Sequence, residues 1–175
     1  VEWGVYTGRR DRMSIRWEDG ARMPYLGRDL RLQVLRDHRG KPQQLGELLQ
    51  VGLPPGAGND QLRDAVQGWL QGRAREHFAQ RIDHFALAHG VSPRRWALSS
   101  ARTRWGSCAA DGSIRLNWRL MHFPAEIIDY VIAHELAHLR EMNNIPRFWS
   151  AVGELFPEWK RARDWLRAYP DDVTF

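Results

Sequence analysis

Three features of the chain predict an α+β domain: apolar and polar residues alternating through the first third, a long stretch of helical spacing, and a second strand block followed by helices. The expected layout is an antiparallel N-terminal sheet, a long helix, the second strand block and a set of C-terminal helices. Residues 1–56 read as a β-rich subregion and 57–175 as the main domain, the two forming one compact unit. A chain of 175 residues can bury a sizeable core, and nine tryptophans within a 43% hydrophobic composition supply the material for it.

Each element has its own signal. In "RMSIRW" Met13, Ile15 and Trp17 alternate with polar residues, "EDG" supplies a turn, and "DLRLQVLR" alternates Leu30, Leu32 and Val34 with Arg31 and Gln33. "QLGELLQVGLPP" reads as a further strand, ended by Pro54 and Pro55. "GAGND" then breaks the chain, and Asn59 or Asp60 is placed to cap a helix running to about Ala88. Leu62, Val66, Leu70, Ala74, Phe78, Ile82 and Phe85 recur at helical spacing along it, and Gly90 ends it. Gly68 and Gly72 fall inside this pattern, and each weakens the helix by about 1 kcal/mol relative to alanine. Trp96, Leu98 and Ser100 mark one side of a strand in "RRWALSSAR"; "TRWGSC", the turn "AADG" and "SIRLNWRL" continue that block. Helices return after Pro124 as "PAEIIDYVIAHELAHLREM", "PRFWSAVGELF" and "PEWKRARDWLRAY".

Composition narrows the function classes. Cys108 is the only cysteine, so no disulfide forms within the chain. No segment has the charged start and apolar middle of a signal peptide, and the apolar runs are too short and too interrupted by charge to span a bilayer, which leads us to expect a soluble, cytoplasmic protein. The chain starts at Val1 rather than methionine, which leaves a preceding segment open. The net charge of +5 is carried almost wholly by arginine, Lys41 and Lys160 being the only lysines. That balance permits attraction to nucleic acid, but the arginines are scattered rather than gathered on one helix face.

The segment with chemical content is "HELAHLREMNNIPRFW", residues 134–149. Residues four apart on a helix share a face, so His134 and His138 can aim their imidazoles at one ion. Glu135, displaced by one residue, reaches a water on that ion without ligating it. This is the mechanical content of the HExxH zinc-peptidase pattern, and Ile128, Val131 and Ile132 give the helix the buried face that such a site needs behind it.

The longer run "RTRWGSCAADGSIRLNWRLMHFPAEIIDYVIAHELAHLREMNNIPRFW" resembles the YgjP-like, or SprT-like, zinc metallopeptidase family, and the likeness extends loosely through "PYLGRDLRLQV" upstream and to "DWLRAY" downstream. The resemblance implies a zincin-type fold in which the edge strand of a sheet lies above the active-site helix. It further implies His134 and His138 as zinc ligands and Glu135 as the catalytic glutamate. The family's third ligand is a histidine six residues after the second, and here that position holds Asn144. A neutral amide oxygen is a poorer zinc donor than imidazole, so a site of His134, His138, Asn144 Oδ1 and water is expected to bind at least ~10–100-fold less tightly.

Other residues invite the same question. Glu154 on the next helix could stand in as a third ligand, and Glu141 lies on roughly the right face but a turn too far along. "NNIP" is also a helix stop in which asparagine serves as a cap, a role that accounts for Asn144 without a metal. His122 reads as a packing or surface histidine, Cys108 as a strand-end thiol with nothing nearby to lower its pKa, and Trp105, Trp118 and Trp149 as core. An exposed edge in the second strand block could bind an extended peptide through main-chain pairing.

The expected function is zinc-dependent hydrolysis of a peptide or protein substrate, with Glu135 as general base. The alternative is a metal-weakened or inactive zincin fold that binds protein or nucleic acid.

Overall fold

The computed structural model describes residues 15–168, and the first elements among them form two hairpins. Strand β1 (Arg22–Tyr25) turns back into β2 (Arg28–Arg36), and β3 (Gln43–Leu45) into β4 (Leu48–Leu53). Each hairpin has a two-residue loop, and each loop is built on left-handed backbone: Leu26 and Gly27 at φ 48° and 87°, and Gly46 at φ 60°. Such loops match the twist of the strands they join. The sheet order is β1-β2-β4-β3, with β2 and β4 parallel, so the sheet is mixed and not antiparallel throughout. Alternation fixes which face of a strand is buried and says nothing of its direction, which is why the parallel pair escapes sequence reasoning. The inward set is as expected: Leu30 and Leu32 meet Leu49 and Val51 in the core.

Three further expectations for this region are corrected. "QLGELLQVGLPP" holds the end of β3, the turn and all of β4 rather than one strand, because the chain reverses at Gly46. Ile15 and Trp17 are not in a strand, although both side chains pack against the core; Met13 lies outside the described residues. The long helix α1 (Asn59–His89) is capped by Gly58, not by Asn59 or Asp60. Gly58 N donates to Gln61 Oε1 (2.8 Å), which satisfies an otherwise orphaned donor at the helix start.

Along α1 the buried residues are Leu62, Val66, Leu70, Ala74, Phe78, Ile82 and Phe85, the stripe read from the sequence. Gly90 closes the helix in the left-handed conformation (φ 67°), donating to Ala86 O at 2.9 Å. A second sheet follows, of β5 (Arg95–Ser99), β6 (Gly106–Cys108) and β7 (Ser113–Asn117) in the order β5-β7-β6. β6 runs antiparallel to β7 and is an edge. The strand in "SIRLNWRL" stops at Asn117, whose side chain accepts from Arg119 N (3.0 Å) and starts a 3₁₀ turn over Trp118–His122.

Helix α2 (Ala125–Arg140) lies at the centre of the molecule, with Ile127, Ile128, Val131, Ile132, Ala133, Leu136 and Ala137 buried. Arg81 fastens it to α1 through a bidentate pair with Asp129 (2.7 and 3.0 Å). At its far end Arg140 donates to His89 O (2.6 Å) and pairs with Glu154 (3.0 Å), joining the ends of α1 and α2 to α3 (Ile145–Leu155). Helix α4 (Trp159–Arg167) packs Ala162 and Leu166 inward. Buried side chains of the first sheet share one apolar cluster with those of the second sheet and the helices. Among the described residues no helix is long and apolar enough to cross a membrane.

Candidate metal centre

His134 and His138 project from successive turns of α2 on the side facing β6, with ring centroids 5.2 Å apart and planes at 84°. Glu135 lies between the helix and the strand, only 2% exposed, with Oε2 2.9 Å from His134 Nδ1. One ligand-type atom from each of the three residues lies within 4.8 Å of the other two. Paired imidazoles and a carboxylate at such separations suit a borderline-soft divalent ion.

The environment supports that fit. His138 Nδ1 is buried and has no hydrogen-bond partner among the described residues, a costly state unless another group completes it. Burial first, and then the neighbouring His134, lowers the His138 pKa, while Glu135 pulls it upward; the net shift favours the neutral ring that metal binding requires. Phe148 of α3 stacks on His138 (4.3 Å, 19°) and meets His134 edge-on (5.1 Å, 85°), so one apolar ring braces both imidazoles.

A cleft of about 400 Å³ opens over these groups, lined by Arg104, Gly106, Ser107, Cys108, His134, Glu135 and His138. A larger groove of about 640 Å³ lies against the first sheet, among Arg22, Arg28, Asp29, Arg31 and Glu47. It holds charge but no imidazole or thiol, so the chemistry-bearing side chains converge only in the smaller cleft among these two.

The structure brings together His134, Glu135 and His138 and places the other candidates elsewhere. Asn144 is exposed and caps α3, its Oδ1 accepting from Arg147 N at 3.2 Å, and it is not among the residues lining the cleft. Glu154 is turned to the surface pair with Arg140, and Glu141 is the residue on which α2 ends. His122 is buried and linked to Pro24 O (2.8 Å), a packing role. Trp105 and Trp118 are buried, and Trp149 is half-buried with its ring stacked on Trp159 at 4.6 Å.

Two groups that sequence reasoning set aside do belong to the site. Cys108 lines the cleft, but burial, with the Glu135 and Asp111 carboxylates behind it, pushes its thiol up to about 11, so it stays protonated and a poor nucleophile near neutral pH. Phe148 belongs to the "FW" that follows the HExxH segment in the family resemblance, but its bracing role appears only from the packing of α3 on α2.

A family model described as YgjP-like, metallopeptidase domain, matches residues 6–169. No curated protein matches the chain. Among solved structures, the metallopeptidase zymogen of Pyrococcus abyssi abylysin is similar at 22% identity, over 50% of this chain and 86% of that one, with a TM-score of 0.43. A likeness that low assigns nothing to this chain.

Proposed function

This chain belongs to the YgjP-like metallopeptidase domain family, and from that premise we propose that it is a zinc-dependent peptidase in which His134 and His138 hold the ion and Glu135 is the general base. The observation that carries this reading is the convergence of the three side chains in one cleft, with an orphaned imidazole nitrogen among them. Bound there, zinc supplies Lewis acidity that polarises a peptide carbonyl and lowers the pKa of water.

The chain's own residues do the rest. Glu135, shielded from bulk solvent and fixed beside His134, takes a proton from the attacking water and returns it to the leaving amine. His134 and His138 are held in orientation by Phe148. β6, at the edge of its sheet beside the cleft, offers main-chain groups with which an extended peptide can pair.

Asn144 falls where the family resemblance puts the third ligand; capping α3 outside the residues that line the cleft, it would serve as a weak third donor only by turning toward the ion. An amide oxygen has two lone pairs, so accepting from Arg147 N leaves one for the ion. The capping bond also favours a second reading, a metal-weakened fold that binds protein or nucleic acid, in which Asn144 serves only to start α3.

Metal content and turnover of quenched fluorescent peptides decide between them. The peptidase reading expects stoichiometric zinc in the parent, at least ~10-fold tighter binding in Asn144→His, and turnover reduced about 10²–10⁴-fold with metal retained in Glu135→Gln. A metal-free parent that acquires zinc only as Asn144→His gives the second reading.

A further inference from the structure

Gly106 sits in β6 opposite Leu116 of β7, buried, and directly against the side chain of Glu135. A Cβ placed on Gly106 would lie 2.9 Å from Glu135 Cγ, 3.0 Å from Oε2 and 3.2 Å from Cδ. Carbon atoms in optimal contact sit about 3.5–4.0 Å apart, so a methyl group and this carboxylate cannot both occupy their places. The colliding atoms are the reacting end of the side chain and the carbon that carries it.

The backbone itself gives no reason for the glycine. Several other glycines adopt positive φ, among them Gly27, Gly46, Gly90 and Gly112, where a side chain is strained whatever the space; Gly106 is not one of them. Its strand conformation suits any L residue. What only glycine provides here is room, and Glu135 fills it.

We propose that Gly106 is a positioning residue for Glu135: the bare backbone at this edge-strand position is the seat on which the carboxylate rests, and any side chain there drives it off its bearing beside His134. A glutamate has three rotatable bonds, and left loose in a cleft it would sample many orientations. Here the β6 main chain closes one side and His134 Nδ1, at 2.9 Å, holds the other. Preorganising a general base to within a fraction of an ångström is a large part of what a scaffold contributes to a proton transfer. The catalytic consequence rests on the proposed role of Glu135; the seat itself does not.

A four-protein cycle tests it: the parent, Gly106→Ala, Glu135→Ala and the double variant, each melted without metal. Glu135→Ala removes the three atoms that the new methyl would meet. Gly106→Ala is expected to lower Tm by about 5 °C in the parent and by less than about 1 °C once Glu135 is alanine. Equal losses in both backgrounds, or no loss in the parent, overturn the proposal. Should Gly106→Ala not fold in the parent, folding of the double variant is the expected coupling, and failure of both variants overturns it.

Turnover gives the second arm. In the metal-loaded protein Gly106→Ala is expected to lower kcat about 10–100-fold with KM within about twofold, and to add nothing to Glu135→Gln. A rise in KM at constant kcat, or a further loss in Glu135→Gln, overturns the positioning role. Thermal coupling with no peptidase activity in the parent leaves the seat standing and removes the peptidase reading. Active parent protein with no coupling does the reverse.

Discussion

His122 is buried in the 3₁₀ turn, where it donates through Nδ1 to the Pro24 carbonyl, and its burial favours the neutral ring in the folded state. Burial lowers its pKa, the bond to Pro24 opposes that shift, and Arg119 adds to it. Below its ordinary value of about 6.5 the unfolded chain binds a proton that the native chain refuses, and stability therefore rises with pH in that range. The contribution is fully present above about pH 6.5 and is lost as pH falls toward the depressed native value. His77 is shifted in the same direction, again chiefly by burial, and adds to the slope. Melting followed from about pH 7 to pH 5 should show Tm falling in the parent and falling less in His122→Asn, which keeps an N–H donor without a titrating ring. A parallel slope in the variant would remove His122 from the account. At this scale the sequence is informative wherever spacing along one helix suffices, as for His134 and His138. It does not bring Cys108 or Phe148 to the site, because their places depend on a strand and a helix reaching α2 from elsewhere in the chain.

Elements whose signals are local were the legible ones. The α1 stripe is legible residue for residue because helical periodicity needs nothing from the rest of the molecule. The hairpin of β1 and β2 carries no clear turn signal because Leu26 takes a left-handed conformation that the sequence pattern of such turns assigns to asparagine, aspartate or glycine. Its amide donates to Met121 O (2.9 Å), a tertiary bond that helps hold an unfavoured residue in place. Glycines inside elements divide in the same way. A Cβ at Gly68 or Gly72 would meet no atom within 4 Å outside the local helix, whereas one at Gly52 would lie 2.6 Å from His38 O. Gly68→Ala and Gly72→Ala should each raise stability by roughly 1 kcal/mol, and Gly52→Ala should lower it by about 1–3 kcal/mol through overpacking against backbone. Denaturant titration resolves both signs; a destabilised Gly68→Ala would mean that something covers that face of the helix.

For the whole molecule the informative contacts join the two regions distinguished in the sequence. Leu26 and Pro24 of the first hairpin bond to Met121 and His122 just ahead of α2, and Arg73 of α1 reaches the Tyr25 hydroxyl (3.4 Å). We propose that residues 1–56 and 57–175 unfold as one unit. Far-ultraviolet circular dichroism and tryptophan fluorescence should then give coincident transitions. Two separated transitions would divide the chain near residue 56. The α+β class was legible at this scale because the order of elements alone implies it, while the direction of β4 and the meeting of β6 with α2 were not, since both are set by packing between distant segments.

The ties made by Arg140 have a consequence for how such a site can evolve. They pin the end of α2 to α1 and α3, and Phe148 braces the imidazoles from beyond the short link over 141–144. Neither anchor involves the side chain at 144, whose one recorded duty is a helix-start bond worth about 1 kcal/mol. On the proposed reading of Asn144, grip on the ion is tuned like a dial by exchanging a single surface side chain, with the frame beneath it left undisturbed.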